Sequence, residues 1–495
     1  MRQRSSRFSA IVLSLLVLSI LVVTAAPAFA RKPKKRKAAA EEAERLKRES
    51  EARIVALYQM AMARTNQIAT PSQPVNGAMN DSGASIVAPV TPATNAQFLA
   101  DDAASVAPVV PAAGTLLISE FRLRGPSGAN DEFIEIYNNS GADHTVAAIS
   151  GSGYAVAASD GVVRCTIPNA TVIPAGGHYL CANSIAYSLS TYATADATYT
   201  TDIPDNAGIA LFNNNSGGAS FSLANRFDAV GSTSEANTLY REGTGYPTLT
   251  PFSINYAFVR DECGKSGSIT TMGPCTISTP KDTDNNAVDF YFVDTNGTSA
   301  GAGQRLGAPG PQNLASPIQR NSTITAALLD STVSQSSPPN RVRDFTSVPA
   351  QNSTFGTLSI RRRFVNNTGA NVTRLRFRVI DVTTFPAPSG FADLRPRTAA
   401  TAVAAGINDP VTCLATGAPT TTPCIVTLQG ADLEGGEGGE NPSQPNGGGF
   451  NSSLAVGTIT LGTPLANGAS INVQFLLGIQ QTGNFKLYVN VEALP

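Results

Sequence analysis

From about residue 115 onward, apolar residues alternate with polar ones in short runs bounded by Gly, Asn, Pro and Ser. "TLLISEFRLRG", "DEFIEIYN", "VVRCTI", "GGHYLCA", "GIALFN", "NRFDAVG", "NYAFVRD" and "VDFYFVD" form a first series of such runs. "STITAALLD", "FGTLSIRRRFV", "NVTRLRFRVIDV", "CIVTLQ", "LAVGTITL", "ASINVQFLLGI" and "NFKLYVNVEAL" form a second. A period of two places every other side chain on one face of a sheet, and short strands at this spacing predict sandwiches or barrels. The Gly/Pro-rich stretch "TSAGAGQRLGAPGPQNLASP" separates the two series, so the sequence predicts one β-domain over residues 115–316 and another over 317–495.

The pattern upstream is different. "MRQRSSRFSAIVLSLLVLSILVVTAAPAFA" has an arginine-bearing start, an apolar run from Ala10 to Val23 and a small-residue end at Ala28-Phe29-Ala30, the layout of a signal peptide over residues 1–30. The basic run Arg31, Lys32, Lys34, Lys35, Arg36 and Lys37 follows at once. Positive charge just after an apolar segment opposes translocation, which keeps an uncleaved N-terminal anchor as the alternative. Residues 38–67 lack Gly and Pro and are rich in Ala, Glu, Arg and Leu, predicting that 31–68 is a basic, charged helix. Residues 69–114, dominated by Pro, Ala, Ser and Thr, have the makeup of a disordered linker.

Composition supports a β-rich, exported chain. Only 14% of its 495 residues are charged, while 43 Gly and 32 Pro dilute any helix beyond the N-terminal region. The cysteines fall into three near couples, Cys165 with Cys181, Cys263 with Cys275 and Cys413 with Cys424, and no C-x-x-C occurs. Spacing therefore favours three local disulfides over a zinc ribbon or a thioredoxin-like motif, although six cysteines permit about 15 pairings. Without residues 1–30, which carry three arginines and no acid, 32 basic residues face 36 acidic ones.

"LLISEFRLRGPSGANDEFIEIYNNSG", the Ile173–Leu180 entry "IPAGGHYL", "GIALFN", "RFDAVG" and "DTDNNAVDFYF" before "GAPGPQN" together resemble, in their order, the lamin tail domain as bacteria use it. The resemblance covers about residues 115–316. It implies an immunoglobulin-like β-sandwich, carried in bacteria on secreted or surface proteins. It also implies that Glu120 and Glu135 belong to the opening strands rather than to a catalytic centre. Physically, a carboxylate at Glu135, flanked on its strand face by Phe133 and Tyr137, can accept backbone or arginine hydrogen bonds, with Arg122 and Arg124 on the preceding strand as candidates.

Other constellations offer chemistry. Glu120 and Glu135 would suit glycoside hydrolysis only if their strands pair and hold them in a cleft. "GTSAG" at 297–301 matches a nucleophile elbow, but both histidines, His144 and His178, precede it and no strand-turn-helix frames it. Asp282, Asp284 and Asp289 are closely spaced oxygen donors. An EF-hand loop starting at Asp282 would need glycine sixth and glutamate twelfth, where the chain has Ala287 and Val293. "SIRRRFVNNTGANVTRLRFRVI" reads as a hairpin with Arg361 and Arg363 on one face of its first strand and Arg374, Arg376 and Arg378 on an exposed face of its second. Arg395 and Arg397 extend that set, which would grip a polyanion, nucleic acid or acidic polysaccharide. The opposing reading is a surface face answered by the acidic loop 432–441.

The sequence thus predicts an all-β protein of two immunoglobulin-like β-sandwich domains behind a signal peptide, a basic helix and a disordered linker. It would be exported and non-enzymatic, with no cofactor and no small-molecule substrate implied. Its work would be adhesion, scaffolding or display against an envelope or extracellular polymer or protein. The basic N-terminal run would touch anionic lipid or polysaccharide at about 1 kcal/mol per charge near the surface. The rival classes are a polyanion-binding module and a secreted hydrolase.

Overall fold

The computed structural model describes residues 115–250, 253–262, 280–415, 422–436 and 441–495. The signal segment, basic helix, linker and the couple Cys263 and Cys275 lie outside the described residues. The chain is mostly β, in several predominantly antiparallel sheets.

The first sheet runs Phe290–Asp294, Tyr256–Arg260, Leu116–Arg122, Phe133–Asn138, His178–Asn183, Ala197–Tyr199. The second runs Arg226–Val230, Ile209–Phe212, Gly153–Ala158, Val163–Pro168. Between them lies a core that includes Leu116, Ile118, Phe121, Ile134, Ile136, Val156, Ile167, Leu211 and Phe258, with Phe121 stacked on Phe258 at 5.2 Å. Each such side chain contributes about 1.5–3 kcal/mol by leaving water. The disulfide Cys165–Cys181 crosses this core from the second sheet to the first.

The third sheet runs Ile318–Gln319, Leu487–Leu494, Arg374–Val382, Ser453–Ala455, Asp432–Leu433. The fourth runs Ile324–Leu328, Thr357–Asn366, Ser470–Gln481, Cys424–Gly430, Ala402–Ile407. Their facing sides bury Phe364, Phe377 and Phe475, with ring centroids 4.7 Å apart for Phe364 and Phe377 and 4.8 Å for Phe377 and Phe475. The hairpin expected from "SIRRRFVNNTGANVTRLRFRVI" is therefore corrected: its two strands lie in opposite sheets and meet through their apolar faces. Alternation made both strands amphipathic, and burying the two apolar faces against each other satisfies it better than side-by-side pairing. The second disulfide, Cys413–Cys424, ties the short helix Pro410–Ala415 to the fourth sheet beside Leu329, Ile407 and Leu428. Both bridges suit an oxidising, extracytoplasmic environment.

The first sheet's other face turns towards the third sheet. Phe133, Leu180, Ala257 and Val293 join the apolar cluster that holds Phe450 and Val456, and Tyr192 hydrogen-bonds Ser453 at 2.8 Å. The Gly/Pro stretch passes through this seam, with residues 306–312 all buried. Gly307 N–H donates to Asp294 O and Ala308 N–H to Phe450 O, each at 3.0 Å, so this part of the stretch is hydrogen-bonded like a strand.

Candidate functional site

Glu120 and Glu135 reach the seam because of a β-bulge. Ile118 pairs with Ile136, but Glu120 pairs with Glu135, so Ser119 and Glu120 together oppose one residue. The extra residue changes the phase of the strand: Leu116 and Ile118 point into the core before it, Phe121 and Leu123 after it. Glu120 is thereby re-aimed to the same outward face as Glu135. Strict alternation from Ile118 would have put its carboxylate in the apolar core.

Both carboxylates are buried and hydrogen-bonded. Glu120 accepts from Gly310 N–H at 2.8 Å and from Asn451 Nδ2 at 3.0 Å. Glu135 accepts from Gln312 N–H and from Ser119 Oγ, each at 2.5 Å. Burial pushes Glu120 up to about 7 despite the nearby Arg378. Burial and the adjacent Glu120 push Glu135 up to about 8. His178 Nε2 stands 3.7 Å from Glu135, and burial, then Arg378 and Arg376, hold that imidazole well below its ordinary range. The cavity among Glu120, Glu135, His178, Gln319, Arg378 and Glu492 has a volume of about 50 Å³, room for a few water molecules. Arg122 and Arg124 are not the partners expected: Arg122 is paired with Asp131, and Arg124 with Asp205 at 2.9 Å. Glu132, three residues before Glu135, instead fastens a loop through Ile203 N–H at 2.7 Å and Asn183 Nδ2 at 3.0 Å.

The arginine stripe faces the same seam. Arg376 and Arg378 share one side of their strand as predicted, but they are buried, which corrects the expected exposed face. Arg376 Nε binds Glu492 at 2.6 Å and Arg378 Nε binds it at 3.0 Å. Burial alone would raise Glu492, yet the two guanidiniums hold it below the ordinary carboxylate range. Arg374, the most exposed of the three, pairs with Glu434 at 2.7 Å, so the acidic loop does answer the stripe. Arg395 and Arg397 are also buried, the first on Asp393 at 2.6 Å and the second on Ser353 at 2.8 Å. Arg361 and Arg363 are half-buried on the outer face of the fourth sheet, Arg361 donating to Gln474 at 2.9 Å.

The expected oxygen-donor trio does not assemble as such. Asp289 accepts from Thr283 Oγ1 at 2.7 Å and Thr283 N–H at 3.0 Å, Asp284 occupies an exposed left-handed turn position with φ 53°, and Asp282 reaches Arg260 at 3.4 Å. Among the described residues the three acids within common ligand reach are Asp228, Glu242 and Asp282. Sequence reasoning missed Glu492, Asn451 and Glu242. For Glu492 the signal was the one charged residue in the largely apolar "LYVNVEAL", a position that calls for a cation opposite. For Asn451 and Glu242, in loops, no periodic signal exists.

Together these features define a mostly β protein whose described residues form several predominantly antiparallel sheets with disulfide staples and a buried ionic seam. Comparison with protein-family models, with curated proteins and with solved structures returned no match.

Proposed function

We propose that this chain is an exported, non-enzymatic envelope or surface protein, serving adhesion, scaffolding or display through two immunoglobulin-like sandwiches, the first similar to a lamin tail domain. The observation that carries the reading is the use of the acids and arginines best suited to chemistry as a buried connection. Glu120 and Glu135 hold Gly310 and Gln312, and Arg376 and Arg378 hold Glu492. These contacts commit the two carboxylates and the two guanidinium Nε atoms to stiffening a scaffold. The two disulfides support export, and the peptide motifs of the resemblance fall on strands of the first two sheets and on the buried stretch.

The test is the intact mass of the protein recovered from cytoplasm, envelope and medium, together with protease shaving of whole cells. The proposal expects a chain lacking residues 1–30 and six hydrogens, accessible outside the cytoplasm. A full-length, thiol-bearing cytoplasmic protein contradicts it, as does turnover of a glycan, ester or phosphate that Glu135→Gln abolishes without unfolding the chain. A polyanion-binding role survives in narrower form, supported by Arg361 and Arg363 on a half-exposed face. It requires salt-sensitive binding that Arg361→Ala with Arg363→Ala removes.

A further inference from the structure

We propose that Asp228, Glu242 and Asp282 form a calcium site outside the seam. One carboxylate oxygen from each lies within 4.8 Å of those of the other two. Oxygens bound to one calcium ion at about 2.4 Å can be at most about 4.8 Å apart, which the three satisfy, whereas magnesium demands near-octahedral geometry and gives up its waters reluctantly. The donor set is all oxygen, which suits a hard cation and not zinc or copper.

A second observation points to the same place. Glu242 is only 6% exposed, and Arg226 Nη2 holds its Oε1 at 2.9 Å. Its Oε2 is buried with no hydrogen-bond partner, beside the other two acids. A buried carboxylate oxygen left unpaired is costly, and a cation removes that cost. Charge agrees: Asp228, Glu242, Asp282 and the neighbouring Asp289 face two guanidiniums, Arg226 and Arg260. The acids outnumber the guanidiniums, an excess that favours a cation.

The site is also held in place. Asn286, fully buried, accepts from Glu242 N–H and Gly231 N–H, each at 3.0 Å, and donates to Ala229 O at 2.8 Å. One side chain thus fixes the Glu242 turn, the end of the Asp228 strand and the Asp282 turn relative to each other. Arg260 holds Asp228 at 2.5 Å but Asp282 at only 3.4 Å, so the ion shares Asp282 at the cost of the longer contact. The Asp282 side chain, 18% exposed, provides the path from solvent.

The experiment uses the full disulfide-bonded chain freed of metal with chelator, titrated with CaCl2 and with MgCl2 by calorimetry and by thermal unfolding. The expected result is one calcium per chain with a rise in Tm, and at least tenfold weaker binding of magnesium. Glu242→Gln and, separately, Asp282→Asn should each weaken calcium binding at least tenfold and remove the Tm rise. Asp282→Asn is at the more exposed position and guards against a Glu242 variant that fails to fold; each variant is compared with the metal-free parent by circular dichroism. Absence of heat and of any Tm rise in the parent overturns the proposal, and so does a calcium response that persists unchanged in both variants.

Discussion

Two glutamates placed directly opposite each other in adjacent strands repel unless protons or cations intervene. For Glu120 and Glu135 the compensation comes from backbone N–H groups, Asn451, Ser119 and the field of Arg378. Burial still leaves their pKa values above the ordinary 4.5, at about 7 and about 8. The folded chain then binds more protons than the unfolded one across this window, so stability is greatest below about pH 4.5 for these groups and falls as pH rises to about 8. Urea unfolding between pH 5 and pH 8 should show the decline, and Glu135→Gln should flatten it. Glu492 acts with the opposite sign: its pKa is depressed, so its contribution is present above its ordinary 4.5 and is lost as pH falls below that value. Glu492→Gln leaves Arg376 and Arg378 buried without their shared anion and should cost about 3–5 kcal/mol in denaturant unfolding. A change within experimental error would mean that the pair is solvated.

At the scale of strands, alternation in the sequence identified most of the sheet-forming segments and correctly grouped Arg376 with Arg378. It did not reveal what covers their face, because the covering sheet is built from residues roughly 80 to 260 positions earlier. Gly153–Ala158 and Ala402–Ile407 escaped notice since their alanines alternate weakly, and Asp393–Arg397 because its proline and charges break the apolar alternation, although Arg395 and Arg397 were grouped with the stripe. The bulge at Ser119 was likewise invisible: only the observed register shows that Glu120 changed faces. The Gly/Pro stretch read as a separator, whereas its glycines serve close approach. A Cβ on Gly307 would lie 2.4 Å from Phe450 O and 2.8 Å from Val293 Cβ. Gly307→Ala should therefore destabilise the chain by about 1–3 kcal/mol, as overpacking in a full core does, measurable as a lower denaturant midpoint at unchanged slope.

For the molecule as a whole, the stretch between the two series of strands is a buried seam that joins them. The four sheets then share one network: the first two meet across the Cys165–Cys181 core, the last two across Phe364, Phe377 and Phe475, and the ionic residues fill the boundary. Under the scaffold role proposed above, such a joint would matter because force or proteolysis at the middle of the chain meets packed backbone instead of an open tether. The most direct measurement is hydrogen exchange by mass spectrometry on the full chain, followed over residues 306–312. Exchange there should be as slow as in the strands Leu116–Arg122 and Leu487–Leu494, since Gly310 and Gln312 N–H are held by buried carboxylates. Glu120→Gln together with Glu135→Gln should speed exchange in this segment first. Exchange within seconds in the parent protein, at the rate of an exposed Gly/Pro linker, would contradict the buried seam.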